Sequence, residues 1–326
     1  MTIAARLEQW RAGGAISAAQ YDAISALVRR DRVSLFVELN ALLYLGVVVL
    51  VAGLGWTVTT YSARLGDVAI VSFLTALFAW SLRYTFRRAR PYSHDQVEQQ
   101  GFAFDYVLYL GCLVFALDLG YLQARFDSFQ LGWDHSLLIA SIVFGLLAYR
   151  FDNRLVLSLA LSSLGAWCGV RFSRFGLLLA GSLRTAALAY GGSVAAAGAA
   201  LHRAGIKRHF LDTYLHVAAN VLFVALVSGA SEMTYDVGVG TPADDSLLYL
   251  TALVGLAAGA IFAGVRFSRF AFVAYGVVYG YLGISIRVVR LLIPSSFTAP
   301  LAYVVVSGVA VIFALVALAR RSGREP

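Results

Sequence analysis

Between about residues 39 and 319, long apolar runs alternate with short breaks that are basic or turn-forming. A helix crossing the hydrocarbon layer needs about 20 apolar residues, fewer where the helix is short or the bilayer thins. Ten runs meet that ruler, at about 39–60, 66–86, 102–122, 131–149, 154–170, 183–201, 210–230, 246–265, 269–288 and 298–319. The fourth and fifth are short and meet at Arg150-Phe151-Asp152-Asn153-Arg154, which predicts a tight helical hairpin. No stretch alternates in the two-residue rhythm of a transmembrane β-barrel. Residues 1–36 read differently. Ile3, Leu7 and Trp10 fall at helical spacing and predict a short amphipathic helix, which Gly13-Gly14 ends. Ser17-Ala18-Ala19-Gln20 then reads as a capping box, with Ile16 and Tyr21 placed as a hydrophobic staple. The second helix shows Tyr21, Ile24, Leu27 and Val28 on one face and runs into Arg29-Arg30-Asp31-Arg32. The expectation is a small helical hairpin held at the membrane surface. The alternative is an amphipathic lead-in lying on lipid.

Composition agrees with the runs. The 326 residues are 60% apolar and only 13% charged, with a mean hydropathy of +0.76. A soluble domain carries about a quarter charged residues. This chain has too little polar surface to cover itself in water, so the bilayer is the expected solvent. Helices follow, because backbone groups in lipid must bond within their own segment. Cys112 and Cys168 both lie in apolar runs and read as packed thiols rather than a disulfide. The first apolar run starts too late and is too long for a signal peptide.

One stretch resembles a known family. Trp10-x3-Gly14-x-Ile16-Ser17-x2-Gln20 is followed by an apolar span that contains Tyr44-Leu45-Gly46 and closes on Gly53-Leu54-Gly55-Trp56. This is similar to a widespread bacterial family of predicted multi-pass membrane proteins of unknown function, which pair such a hairpin with a multi-helix membrane region. The resemblance is specific over about the first 60 residues. It implies an integral inner-membrane protein. It brings no activity, no cofactor and no site residues.

The net charge of +8 rests on 25 arginines and one lysine, Lys207. With the N-terminus inside, 19 of the 26 fall in cytoplasmic segments, the N-terminal hairpin and C-terminal tail included, and 7 in outer ones. That bias sets orientation. It predicts that both termini are cytoplasmic, in the bacterial inner membrane that the resemblance implies. The segment 230–245 fits an outer loop, with Glu232, Asp236, Asp244 and Asp245 and no basic residue. Trp56, Trp133 and Trp167 fall at outer span ends and Trp80 at an inner one, as aromatic belts do. The segment 171–184 is the exception. It puts Arg171, Arg174 and Arg184 outside, around the short apolar piece Gly176–Gly181, which reads as a loop or a re-entrant segment. Nucleic acid is not an expected partner, since no soluble basic domain exists to hold it.

The heptapeptide Gly-Val-Arg-Phe-Ser-Arg-Phe occurs at Gly169–Phe175 and again at Gly264–Phe270. Pairing the two copies directly matches the fifth span with the eighth, an inverted relation. A second register holds over a longer distance. Asp105 pairs with Asp212, Ser136 with Ser246, Arg150-Phe151 with Arg266-Phe267, and Thr185 with Thr298, at offsets of 107, 110, 116 and 113. It matches spans three to six with seven to ten, which makes the copies parallel. The expected fold is all-α: a polytopic transmembrane bundle of about ten spans, with a hairpin at 1–37, two lead spans at 38–101, and two four-helix units at 102–203 and 204–326.

Ionisable groups within spans are costly and are candidate sites by default. Asp105 and Asp118 lie on the third span. Asp212, His216 and Asn220 share one face of the seventh, which His209 extends by a turn. A carboxylate beside an imidazole suits a proton relay. The plainer readings are helix capping at Asp105 and Asp212, reach to water at Asp118 about one turn from the outer end, and inter-helix bonding at His216 and Asn220. His202, His209 and His216 recur every seven residues, but Gly205 is expected to interrupt them. Small-residue faces on the sixth, eighth and ninth spans (Gly255-x3-Gly259, Gly276-x3-Gly280) read as seams at the bundle centre, with homodimerisation as the sharper alternative. Tyr275, Tyr279 and Tyr281 on the ninth span are read as packing or interface anchors, with a cavity lining as the alternative.

No Gly-rich phosphate loop, His-Glu-x-x-His, Gly-x-Ser-x-Gly or metal-spaced cysteine pair occurs, so no catalytic residue, metal or cofactor is expected. The functional expectation is a structural, sensory or assembly component that contacts a protein partner through Trp10, Ile16 and Tyr21. The alternative is a proton-coupled or small-molecule transporter. Cysteines placed at Ser173 and Ser268 and labelled from each side of the membrane should react from opposite sides. Labelling of both from one side would overturn the ten-span topology.

Overall fold

The computed structural model describes residues 3–28, 36–97, 102–126, 133–174, 180–231, 246–293 and 298–322. Among them every regular element is helical. α1 (Ile3–Ala12) and α2 (Ala18–Val28) form the N-terminal hairpin. Ten long helices follow: α3 (Phe36–Leu65), α4 (Asp67–Arg88), α5 (Phe102–Phe126), α6 (Trp133–Phe151), α7 (Arg154–Arg174), α8 (Ala180–Arg203), α9 (Leu211–Ser231), α10 (Ser246–Arg266), α11 (Phe270–Leu292) and α12 (Thr298–Ser322). Each matches one expected span. Nine are both long and apolar enough to cross a membrane. The tenth, α8, has the length, but its glycines, Arg184 and polar residues such as Thr185 and Ser193 hold its hydropathy down. The fold is a polytopic helix bundle.

Local chemistry explains several boundaries. The Ser17 backbone N–H donates to Gln20 Oε1 at 2.9 Å and the Gln20 N–H to Ser17 Oγ at 3.2 Å, the reciprocal capping box. Gly66 and Gly205 take positive φ between helices, at 77° and 76°. Gly205 does separate His202 from His209. The basic cluster Arg29–Arg32, most of the apolar piece 176–181 and the acidic segment 232–245 lie outside the described residues.

The helices pack as successive hairpins, α4 on α5, α6 on α7, α8 on α9 and α10 on α11. α5, α7, α9 and α11 form a spine behind them. α3 leans on α5 and α12 on α11. The main core gathers Leu108, Cys112, Phe144, Ala148, Val156, Leu157 and Phe210 between α5 and α9. Smaller clusters sit at either end, around Leu74 and Val114, and around Phe223 and Leu253. Lipid supplies no hydrophobic drive between helices, so close approach of backbones has to do that work. A Cβ on Gly198 would stand 2.5 Å from Tyr214 Cβ, and one on Gly276 2.5 Å from the Ala257 carbonyl oxygen. α8 and α11 thus need their small faces. The pair on α10 is different. Gly255 and Gly259 have nothing within 4 Å and lie on the outside of the bundle, not at its centre.

Two turns repeat one geometry. Asp152 and Ser268 both take left-handed φ, 58° and 52°. Behind them the Asn153 N–H bonds the Ala148 carbonyl at 3.1 Å, and the Arg269 N–H bonds the Gly264 carbonyl at 2.7 Å. The two turns follow Arg150-Phe151 and Arg266-Phe267, at the offset of 116 that the sequence pairing uses. The heptapeptide splits across this comparison. Its second copy makes the turn, and its first continues α7 as helix to Arg174.

Gly198→Ala should destabilise the bundle by about 1–3 kcal/mol through overpacking. Gly192→Ala, on the same helix with open space around it, should be neutral or stabilising by up to about 1 kcal/mol. Thermal unfolding in detergent distinguishes them.

Candidate functional site

Four connections meet at the end of the bundle where α4, α6, α8 and α10 finish. It carries most of the arginines between spans, and is called the basic end. Lys207 and Asp152 pair there at 3.1 Å, with side chains only 1% and 3% exposed. Lys207 sits in the left-handed region, φ 45°, between α8 and the short 3₁₀ turn Arg208–Phe210. That conformation is uncommon for a residue with a side chain. It lets one residue reach twice into the segment after α4: its backbone N–H bonds the His94 carbonyl at 2.9 Å, and Nζ bonds the Asp95 carbonyl at 3.3 Å. The ammonium also lies 5.4 Å from the Tyr92 ring centre.

Asp152 is the hub. Its second carboxylate oxygen bonds His209 Nε2, and Oδ2 also accepts the Val97 N–H at 2.6 Å. Its neighbour Asn153 caps α7, with Oδ1 accepting the N–H groups of Leu155 and Val156 at 3.0 and 2.9 Å. The Asn153 amide donates to Asp105 Oδ1 at 2.9 Å. Below, Tyr149 and Tyr214 share a hydrogen bond of 2.9 Å, and Phe210 is buried against Tyr149. One two-residue turn therefore ties α5, α7, the α4–α5 segment and the α8–α9 connection together.

A cleft of about 600 Å³ opens beside this cluster. Asp152, Asn153, Arg154 and His209 form its polar wall, and Tyr44, Gln96, Val97 and Leu155 close it. A carboxylate bonded to an imidazole, with an arginine alongside, can bind a polar group or hold a proton. Among the described residues no group of three or more His, Cys, Asp or Glu stands close enough to hold a metal ion.

Of the residues singled out in the sequence, Asp105 and His209 belong to this cluster and the others lie elsewhere. Asp105 is in the first turn of α5 and joins the cluster through Asn153. Asp212 is in the first turn of α9 and pairs with Arg269 of the α10–α11 turn, the place that corresponds to Asn153. Asp118 is not one turn from the end of α5. It lies eight residues before that end, is 5% exposed, and accepts the Thr75 hydroxyl at 2.7 Å. His216 stacks on Phe272 at 5.0 Å and meets Tyr275 edge-on. Asn220 accepts the Tyr279 hydroxyl at 2.9 Å. Tyr281 bonds Ser307 of α12 at 2.9 Å, so that tyrosine joins two helices. His209 does not extend the His216 face, because it turns to Asp152. On the hairpin, Trp10 is 51% exposed, Ile16 and Tyr21 are half-buried, and the Arg11 guanidinium lies 4.9 Å from the Tyr21 ring.

Asp152, Asn153, Lys207 and His209 are what sequence reasoning missed as a site. Asp152, Asn153 and Lys207 read as parts of connections between spans, and His209 as an extension of the Asp212 face. One signal was present: Lys207 is the only lysine among 26 basic residues. Removing one partner of a buried pair leaves the other charge uncompensated. Lys207→Met should cost about 3–5 kcal/mol, and the double variant Asp152→Asn/Lys207→Met should cost clearly less than the two single changes added. A thermal-unfolding cycle in detergent measures both. Strict additivity would mean that the two charges do not act as a pair.

Residues 8–157, running from the hairpin into the start of α7, match the model of a family described as "Predicted membrane protein (DUF2157)". No curated protein and no solved structure matches the chain. The match extends well beyond the first 60 residues and does not single out the hairpin motif. The chain is thus similar, over its N-terminal part, to a predicted membrane protein family whose description carries no activity.

Proposed function

We propose that this is a non-catalytic membrane component of sensory or assembly type, in which the cleft at the basic end receives a polar ligand or partner segment and the α1–α2 hairpin makes the protein contact. One observation carries the reading: Tyr44 of α3 lines the cleft beside Asp152 and His209. α3 follows the hairpin in the chain and is little buried by the rest of the bundle. Tyr44 holds it by ring contacts to Tyr106 and Tyr109 of α5, at 4.9 and 5.5 Å. An occupant of the cleft therefore presses on the helix that carries the hairpin. Trp10, exposed on that hairpin, is the residue type that anchors interfaces.

The same reading includes a bacterial inner membrane with both termini cytoplasmic, supported by the arginine bias. It includes two parallel four-helix units, 102–203 and 204–326, supported by the like turns at Asp152 and Ser268. It includes a homodimer through Gly255 and Gly259 on the open face of α10. A proton-coupled transporter is the second reading, favoured by the acid–imidazole pair at the cleft. Asp118, His216 and Asn220 support it poorly, because their partners lie on different helices, α4 for the first and α11 for the other two.

Hydrogen exchange in lipid nanodiscs tests the coupling. Asp152→Asn should speed exchange about tenfold in the hairpin and the first turns of α3, a loss of about 1.4 kcal/mol of local stability. Faster exchange confined to the turns at Asp152 and Lys207 would leave the cluster a structural clamp and sink the sensory reading. Proton uptake by proteoliposomes that Asp152→Asn abolishes would favour the transporter.

A further inference from the structure

Asp152 is the one carboxylate among the residues that line the cleft at the basic end, and its charge is already compensated. Oδ2 accepts from Lys207 and from the Val97 N–H, and Oδ1 accepts from His209 Nε2. Both oxygens are therefore occupied, and the buried ammonium cancels the charge. Asn153 is equally committed, with its oxygen on the N–H groups of α7 and its amide on Asp105. Asp105 itself is buried and is not among the lining residues.

Arg154 is the opposite case. It is exposed, it opens α7, and among the described residues its guanidinium has no hydrogen bond, ion pair or ring partner. Arginines at other helix ends are held, Arg125 by Asp67, Arg269 by Asp212 and Arg150 by the Arg90 carbonyl. The turn itself does not need this cation. The turn at Ser268 has the same left-handed geometry, and at the offset of 116 it carries Phe270 in the place of Arg154. The arginine bias accounts for a cation at this end of the bundle. It does not account for one on the wall of a cleft whose carboxylate is neutralised. Gln96, also exposed, adds an amide with no partner among the described residues. Tyr44, Val97 and Leu155 make the rest of the wall aromatic or apolar. The uncompensated charge on the lining is thus positive, and the arginines around it add a field of the same sign. A guanidinium fork matches the oxygens of phosphate or carboxylate in geometry as well as charge. The volume, about 600 Å³, suits a small organic molecule.

We propose that the cleft takes an organic oxyanion, its phosphate or carboxylate held by Arg154 with Gln96 beside it, and its apolar part against Tyr44, Val97 and Leu155. This rests on the reading of the cleft as a ligand site and names the class of ligand. The buried Asp152–Lys207 pair is then the frame that fixes the wall, and Arg154 is the group that meets the ligand. The oxyanion is carried by a soluble molecule or by the headgroup of a neighbouring lipid.

Titration calorimetry of the full-length protein in maltoside detergent, with phenyl phosphate, benzylammonium and benzyl alcohol as probes, tests it. Phenyl phosphate should bind more tightly than the other two. Arg154→Gln should weaken it about tenfold, the scale of one hydrogen bond to a charged group, and Arg154→Lys should weaken it less. Arg154 is exposed and unpaired, so both variants should unfold at the wild-type temperature. Equal or tighter binding of benzylammonium, no binding of phenyl phosphate, or phenyl phosphate binding unchanged in Arg154→Gln overturns the proposal. Short-chain phosphatidylglycerol and phosphatidylcholine below their micellar concentrations, added as competitors, separate the two sources. Displacement of phenyl phosphate by the first alone assigns the site to a lipid headgroup, and displacement by neither assigns it to a soluble anion. Hydrogen exchange keeps this apart from the sensory reading. Phenyl phosphate that binds through Arg154 and leaves exchange in the hairpin unchanged upholds the oxyanion and removes the coupling. A hairpin loosened by Asp152→Asn in a protein that binds no anion does the reverse.

Discussion

A carboxylate and an ammonium, both withdrawn from water, hold the basic end of the bundle together. Asp152 and Lys207 come from turns 55 residues apart and are almost completely enclosed. Such a pair costs desolvation energy and stabilises only when its remaining hydrogen-bonding capacity is used. Here it is used: by His209 and the Val97 N–H on one side, and by the Asp95 carbonyl and the Tyr92 ring on the other. What the pair contributes is a fixed meeting point. Helices in lipid slide on one another with little hydrophobic penalty, and three inter-helix connections that converge on one carboxylate cannot.

The rest of the packing is steric. Gly198 lets Tyr214 lie against the α8 backbone, and Tyr214 in turn meets Tyr149 beneath the ion pair. The small face of α8 and the charged cluster are therefore one structure, a close approach that sets the depth and an electrostatic tie that sets the register. α12 lies outside this system, and α3 meets it only where Tyr44 lines the cleft. Each leans chiefly on one neighbour and leaves most of its surface to the membrane.

The helices were legible because their signals are local. Twenty apolar residues between charged breaks specify a span without reference to any other part of the chain. The capping box of Ser17 and Gln20 is a three-residue relation and was equally plain. The ion pair was not, since its members sit in separate breaks where charge serves orientation and a bulk reading suffices. Glycine spacing was ambiguous for a different reason. Gly255-x3-Gly259 and Gly276-x3-Gly280 have the same period, yet the first faces outward and the second receives α10. A repeat of four residues places both glycines on one side of a helix and says nothing of where that side points. The heptapeptide is the extreme case, as its first copy continues α7 from Gly169 to Arg174 while the second ends α10. Only at Gly264 does the returning chain, Arg269 and Val273, press on the glycine, while Gly169 meets nothing.

The isolation of Lys207 has a practical corollary. It is the chain's single ε-amine, and it is 1% exposed. Amine-directed reagents thus find no side-chain target on the folded protein, and cross-linking chemistry based on lysine is blind to its surface. The same burial turns that amine into a reporter. Acylation at Lys207 can proceed only when the connection between α8 and α9 lifts away from Asp152, so the rate of a simple covalent reaction counts the openings of one end of a membrane bundle.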